Sequence, residues 1–317
     1  MASTETIEAE HGVLLEACGL IDRSERGKLA LSGAGAVEFL NGQVTNELAD
    51  LSDGEGRYAA FLTHKGKMLG DLRILAAGDE LLLDTERAAL QDLFDMIRRF
   101  KIGYDVELHK RTLERGLISL IGPETFATAG AGELAGADEH THRPVEIDGY
   151  AARAIRTDAG LDLLCDAADA EPLIAALRQR GAHPVSEEAT ECLRIERGRP
   201  RYGIDLDDSV IPQEAGLNER AVSFTKGCYV GQETVARLFY KGKPNRHLRG
   251  LHLSEPVAAP QELHLGEKVV GRVTSAALSP TLGPIGLALV RREAELGATI
   301  AVGDTNLTAE VVELPFA

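Results

Sequence analysis

Glu196 occupies a place where an apolar side chain is expected. Ser186 is a good N-cap for a helix over residues 187–197, because its hydroxyl accepts from an orphan backbone amide. Ala189, Cys192 and Leu193 form the apolar stripe of that helix. Glu196 continues it, one turn beyond Cys192. A carboxylate turned inward needs a partner, since uncompensated burial is costly. Two readings stand together. One is an ion pair with Arg194, Arg197 or Arg199, or a helix end turned into solvent. The other is recognition of a ligand edge with two adjacent N–H donors, as a pterin presents, by charge-assisted bonds.

A second cluster is Thr225-Lys226-Gly227-Cys228-Tyr229-Val230-Gly231-Gln232-Glu233. The spacing predicts a helix beginning near Gly227 or Cys228, which would put the thiol at a helix N-terminus beside a lysine and favour its thiolate. The plainer reading of a lone cysteine is a small buried hydrophobe. The third is Lys65-Gly66-Lys67-Met68-Leu69-Gly70-Asp71-Leu72-Arg73. Asp71 is out of place in a strand by propensity, unless it lies on a solvent face with Arg73. Gly33-Ala34-Gly35 lacks the spacing of a phosphate loop. His140 and His142 fall in a polar stretch and read as solvated; no Ser-His-Asp set is identifiable.

The elements that must position these residues alternate in the first half. Strands are expected over residues 28–32, 57–64, 68–76 and 80–84, with a helix after the first. Leu90, Leu93, Phe94 and Ile97 mark an amphipathic helix, with Gly103 as its stop. Strands over 105–110 and 117–121 follow, then a small-residue loop over 130–136. The pattern then recurs, with strands over 144–147, 151–156 and 162–165 and a helix over 172–180. Such units suit split-βαβ modules with antiparallel sheets. After Lys241-Gly242-Lys243-Pro244-Asn245 the helical period vanishes. Short strands separated by Gly, Pro and Asp then read as an all-β barrel or jelly roll. The division is an α+β unit over 10–240, made of two subdomains, and a barrel over 245–317.

The motifs bear a family likeness. Lys226 to Glu233 closely resembles the K-G-C-[FY]-x-G-Q-E motif of YgfZ-like folate-binding proteins, within the glycine-cleavage T-protein superfamily. Residues 33–46, Leu193-Arg194-Ile195-Glu196-Arg197-Gly198, Tyr202-Gly203-Ile204-Asp205, Ile211-Pro212-Gln213-Glu214 and Gly271-Arg272-Val273-Thr274-Ser275 extend the resemblance over most of the chain. It implies a cloverleaf of two ferredoxin-like subdomains and a C-terminal barrel around a folate-binding hole. It implies that Glu196 holds the pterin edge, that Tyr202 and Lys226 also contact the folate, and that Asp71 lies near its reactive nitrogens. Cys228 would carry the chemistry distinctive of the YgfZ-like branch. Many T-proteins have a paired Asp-Asp where this chain has Gly70-Asp71. Two functions follow from the resemblance: a tetrahydrofolate-binding factor that supports iron–sulfur enzymes, including tRNA-modifying ones, or an aminomethyltransferase working with a lipoylated carrier.

Composition agrees with a soluble globular chain. The 317 residues are 44% hydrophobic and 26% charged, enough for two or three domains with real cores. A net charge of −16 disfavours non-specific contact with phosphate backbones, though a local basic cleft would still hold one anion. Cys18, Cys165, Cys192 and Cys228 are widely spaced, with no CxxC and no Cys/His cluster, which argues against a zinc site. Sparse cysteine, no leader-like N-terminus and no long apolar run point to a cytoplasmic protein without membrane contact.

Overall fold

A computed structural model describes residues 4–304 and 306–316. Its first sheet has five antiparallel strands in the order Gly56–Leu62, Met68–Ala77, Glu80–Thr85, Gly27–Ser32, Glu107–Lys110. Helices Ala36–Asn41 and Leu90–Phe100 pack on it. The expected stripe faces inward: Leu93 and Ile97 are fully buried beside Phe39 and Leu40, and Leu90 and Phe94 pack at the edge. Each such side chain removed from water contributes about 1.5–3 kcal/mol.

The second sheet runs His183–Pro184, Gly19–Asp22, Arg115–Ile121, Gly160–Asp166, Tyr150–Arg156, His142–Ile147. All its pairings are antiparallel except the first, which is parallel. Helix Ala170–Gln179 covers it with Leu173 and Leu177. The stretch over 130–136 is no simple surface loop. It holds a 3₁₀ turn at Gly132–Leu134, and Ala131 and Leu134 join the core.

Strands Arg246–Leu253, Gln261–Leu265, Lys268–Ser279, Gly283–Arg291, Thr299–Val302 and Leu307–Val312 close into a six-stranded barrel filled by Leu251, Leu263, Val273 and Val290. Helix Glu187–Glu196 joins the parts. Ser186 caps it, accepting from the Ala189 amide at 3.3 Å. Ala189 and Leu193 pack with Leu14 of helix Thr4–Glu16, and Ile195 packs on Leu248, Ile285 and Leu287 of the barrel. Among the described residues no helix is long and apolar enough to cross a membrane.

Candidate active site

Asp71 lies inside the strand Met68–Ala77, opposite Ala60 of the neighbouring strand. Side chains alternate along a strand, so Asp71 and Arg73 share a face while Gly70 points the other way. That face is not solvent. Both residues are buried and line a cavity of about 250 Å³ between the two sheets. The Tyr58 hydroxyl donates to Asp71 Oδ2 at 2.7 Å. Burial pushes the Asp71 carboxyl up to about 6. The Tyr58 bond opposes that rise, and Glu86 adds to it. Burial and the adjacent carboxylate push the Tyr58 phenol well up in turn.

Gly70 cannot carry a side chain here. A Cβ would lie 2.5 Å from that of Ala89 and 2.6 Å from the Phe61 ring. An aspartate at 70 would therefore press into the core rather than enter the cavity.

Ion pairs fix the walls. Arg73 bridges Asp84 and Asp162, and Arg26 holds Asp84 and Glu86. The Arg73–Asp162 pair ties the two sheets together across the cavity, and Ser119, paired with Asp162 on the neighbouring strand of the second sheet, donates to it at 2.6 Å. The capped helix brings Glu191 and Arg194, and the segment after it brings Arg201 and Tyr202. Glu191 accepts from Arg194 at 2.8 Å and from Arg201 at 3.2 Å, which lowers its pKa although burial pushes the other way. Arg194 also reaches Asp205, which Thr274 and Ser275 of the barrel hold in place. Tyr202 is buried, and burial pushes its phenol up to about 12. The Arg220 guanidinium lies over the Tyr58 ring at 5.2 Å.

The lining holds seven arginines and seven carboxylates, so in a chain of net charge −16 the cavity itself is balanced. It is not the basic cleft that composition allowed for, but it does not repel an anion. Three residues that line it each carry a buried nitrogen, Arg23 Nε, Arg73 Nε and His140 Nδ1, without a hydrogen-bond partner among the described residues. Burial holds His140 down to about 3, so it is neutral at physiological pH. Neither histidine of the polar stretch is merely solvated: His140 lines the cavity, and His142 is fully buried between Arg153 and the Glu55 carbonyl.

Glu196 lies elsewhere. It does face inward, with a side chain 11% exposed, but its carboxylate is taken by His11, at 2.9 Å from each oxygen, and by Ser279, at 2.5 Å. It does not line the cavity. Lys226 is also committed: its ammonium donates to the carbonyls of Asn41, Val44 and Asn46, and burial lowers its pKa to about 8. Cys228 is exposed. The helix after it starts only at Gln232, because Gly231 takes φ +84 at the N-cap and the chain before it is not helical. The thiol is therefore four residues short of the helix N-terminus expected for it.

The comparisons with known proteins bear on this architecture. The GCVT N-terminal domain matches residues 2–226, and the glycine cleavage T-protein C-terminal barrel domain matches residues 246–317. The chain belongs to the glycine cleavage T-protein family. An aminomethyltransferase of Rubrobacter xylanophilus is 30% identical over 98% of this chain and 86% of that protein. One from Streptomyces avermitilis is 32% identical over 97% and 88%. The crystal structure of the glycine cleavage system aminomethyltransferase T from Bartonella henselae has the same fold, with a TM-score of 0.86 over 98% of this chain and 89% of that one at 24% identity.

In this T-protein family member, then, the structure brings Asp71 and Tyr202 to one cavity and leaves Glu196, Lys226 and Cys228 outside its lining. Sequence reasoning missed Tyr58, Glu191 and Arg201. Tyr58 carried a usable signal. Alternation in paired strands places it near the face of Asp71, with Arg73 directly opposite it. Glu191, five residues before the glutamate that drew attention, lines the cavity together with Arg194 of the same capped helix.

Proposed function

We propose that the cavity binds a tetrahydrofolate and that the chain transfers an aminomethyl-derived one-carbon unit to it. The observation that carries this reading is the Asp71–Tyr58 pair, a hydrogen-bonded carboxyl buried in the cavity wall. The 30–32% identity to aminomethyltransferases over nearly the whole chain favours the same reaction class. The residues present fit a folate: buried nitrogens without a partner among the described residues, a tyrosine at 202 and a charge-balanced wall accept a flat, polar, anionic molecule. The substitution of Gly70 for an aspartate does not count against it, because position 70 faces the core.

Tetrahydrofolate would supply the two amine nitrogens that bond to the carbon as the carbon's bonds to the carrier sulfur and to its own amine break, releasing the carrier thiol and ammonia. Asp71 is suited to take the proton that such a nitrogen gives up. Its carboxyl, near 6, is mostly ionised at neutral pH yet basic enough to hold a proton briefly. Tyr58 fixes which oxygen faces the cavity, and Arg220 over its ring holds the phenol in place. Ion-paired walls resist rearrangement, so the dipoles are set before the reaction begins. The test is tetrahydrofolate binding by calorimetry, followed by transfer from an aminomethyl-loaded lipoyl carrier. Tight binding abolished by blocking the cavity, for example in Tyr202→Trp, supports the site. Unchanged affinity in that variant places the folate elsewhere.

A second reading has its own observation. Cys228 is exposed within Lys226 to Glu233, the stretch resembling YgfZ-like proteins, and beside it Phe224 stacks on a half-exposed Phe239 at 3.8 Å. An exposed thiol near aromatic surface suits contact with iron–sulfur enzymes or their assembly proteins. Cys228→Ser should then lower iron–sulfur enzyme activity in a deletion strain while leaving folate affinity within about twofold. Full complementation by the serine variant contradicts this second role.

A further inference from the structure

We propose that His11, Cys192 and Glu196 form a transition-metal site, best suited to Zn²⁺, that clamps the N-terminal helix to the helix Glu187–Glu196. Cys192 and Glu196 are one turn apart and share a helical face, and His11 reaches them from the helix Thr4–Glu16. Their donor atoms, Nε2, Sγ and a carboxylate oxygen, all lie within 4.8 Å of one another. Sulfur to Glu196 Oε1 is 3.6 Å, and His11 Nε2 to either oxygen is 2.9 Å. Tetrahedral zinc with ordinary bond lengths separates sulfur from oxygen by about 3.5 Å and nitrogen from oxygen by about 3.3 Å. The sulfur is already at the required spacing from Oε1, and the imidazole nitrogen needs about 0.4 Å more separation from the carboxylate.

The donor set selects the metal. One imidazole, one thiolate and one carboxylate suit zinc and its neighbours, whereas magnesium and calcium take oxygen ligands. Ser279, at the end of the barrel strand Lys268–Ser279, donates to Glu196 Oε1 and so orients a ligand from the next shell. Cys192 and Ser279 also border a groove of about 840 Å³ with Ile195 and Pro280, which gives the metal an entry path and a water its fourth position. On binding, Cys192 gives its proton to solvent and coordinates as thiolate. The site lies apart from the cavity assigned to folate, and it explains the inward carboxylate of Glu196 without a pterin.

The full chain, stripped with chelator under reducing conditions, should be titrated with Co²⁺ alone as the optical probe. One equivalent is expected to produce tetrahedral d–d bands and a sulfur-to-cobalt charge-transfer band, both displaced by Zn²⁺. Cys192→Ala should lose the charge-transfer band, and Cys228→Ser should keep it. His11→Ala should weaken cobalt binding by more than the roughly 10–100-fold that loss of an outer-shell partner costs. Zn²⁺ should also raise the wild-type melting temperature, as any ligand of the folded state does. No tetrahedral cobalt spectrum in folded wild-type protein overturns the proposal. So does a charge-transfer band that survives Cys192→Ala or vanishes in Cys228→Ser.

Discussion

With its carboxyl raised to about 6, Asp71 binds a proton more tightly in the folded chain than in the unfolded one. The sign follows from linkage: stability falls as pH rises from about 4 to about 6, and the loss is constant above that. Asp71→Asn keeps an acceptor for the Tyr58 hydroxyl and removes the buried charge. The variant should therefore be more stable than wild type at pH 8, by the order of 1–3 kcal/mol, and nearly equal at pH 4. Urea denaturation at both values checks this; an Asn variant equally destabilised at both would show that the carboxylate is not held at a cost. Tyr58→Phe acts in the opposite sense. Its hydroxyl lowers the Asp71 pKa, so the acidic limb of any pH–rate profile should move to higher pH in the Phe variant. A profile that keeps its limb would separate Tyr58 from the reacting group.

At the scale of elements, the segment Lys226 to Gln232 is a brace. Lys226 satisfies three carbonyls at the end of helix Ala36–Asn41 and beyond, and Gly231 packs against the turn that precedes the Asp71 strand. Lys226→Met leaves those carbonyls without their donor and should cost about 2–4 kcal/mol by denaturant melts, while folate affinity in the folded protein stays within a few fold. A loss of affinity without a loss of stability would instead put the ammonium on the ligand. Gly231→Ala meets both a φ of +84 and the Thr63 carbonyl 2.6 Å from its new Cβ. It should be destabilised by at least about 1–2 kcal/mol.

The Ser186 cap, the helix Leu90–Phe100 and the closing run of barrel strands were legible because each depends on local pattern. The helix Thr4–Glu16 was not. Its acidic first half and Gly12 blur the apolar period, and the helix is held by Leu14 packing on distant residues. The start of helix Gln232–Lys241 was misplaced because a left-handed glycine looks like any glycine in sequence.

For the whole molecule, the site was legible in part. Asp71 stood out as a carboxylate within a strand, but a solvent face explained it equally well by propensity, and its place near the folate came from the family likeness. Tyr202 came only from the family likeness. Glu196 gave the same kind of signal on its helix, yet the partner it needed was His11, 185 residues away in sequence. Periodicity reports that a side chain faces inward, not which interior it faces. The cavity is assembled from two sheets, the capped helix and the segment beyond it, and salt bridges such as Arg73–Asp162 close it across 89 residues. Such pairings are set by topology, which no local window contains. The central claim is that this cavity, through Asp71, performs one-carbon transfer to tetrahydrofolate. Its most direct test is single-turnover formation of methylenetetrahydrofolate from an aminomethyl-loaded lipoyl carrier, comparing wild type with Asp71→Asn at pH 7.5 or so. The account predicts product with the wild type and a rate lower by about 10²–10⁴-fold in the Asn variant, with tetrahydrofolate affinity nearly unchanged. Wild-type rates in the Asn variant, or no product from wild-type protein that binds tetrahydrofolate, would contradict it.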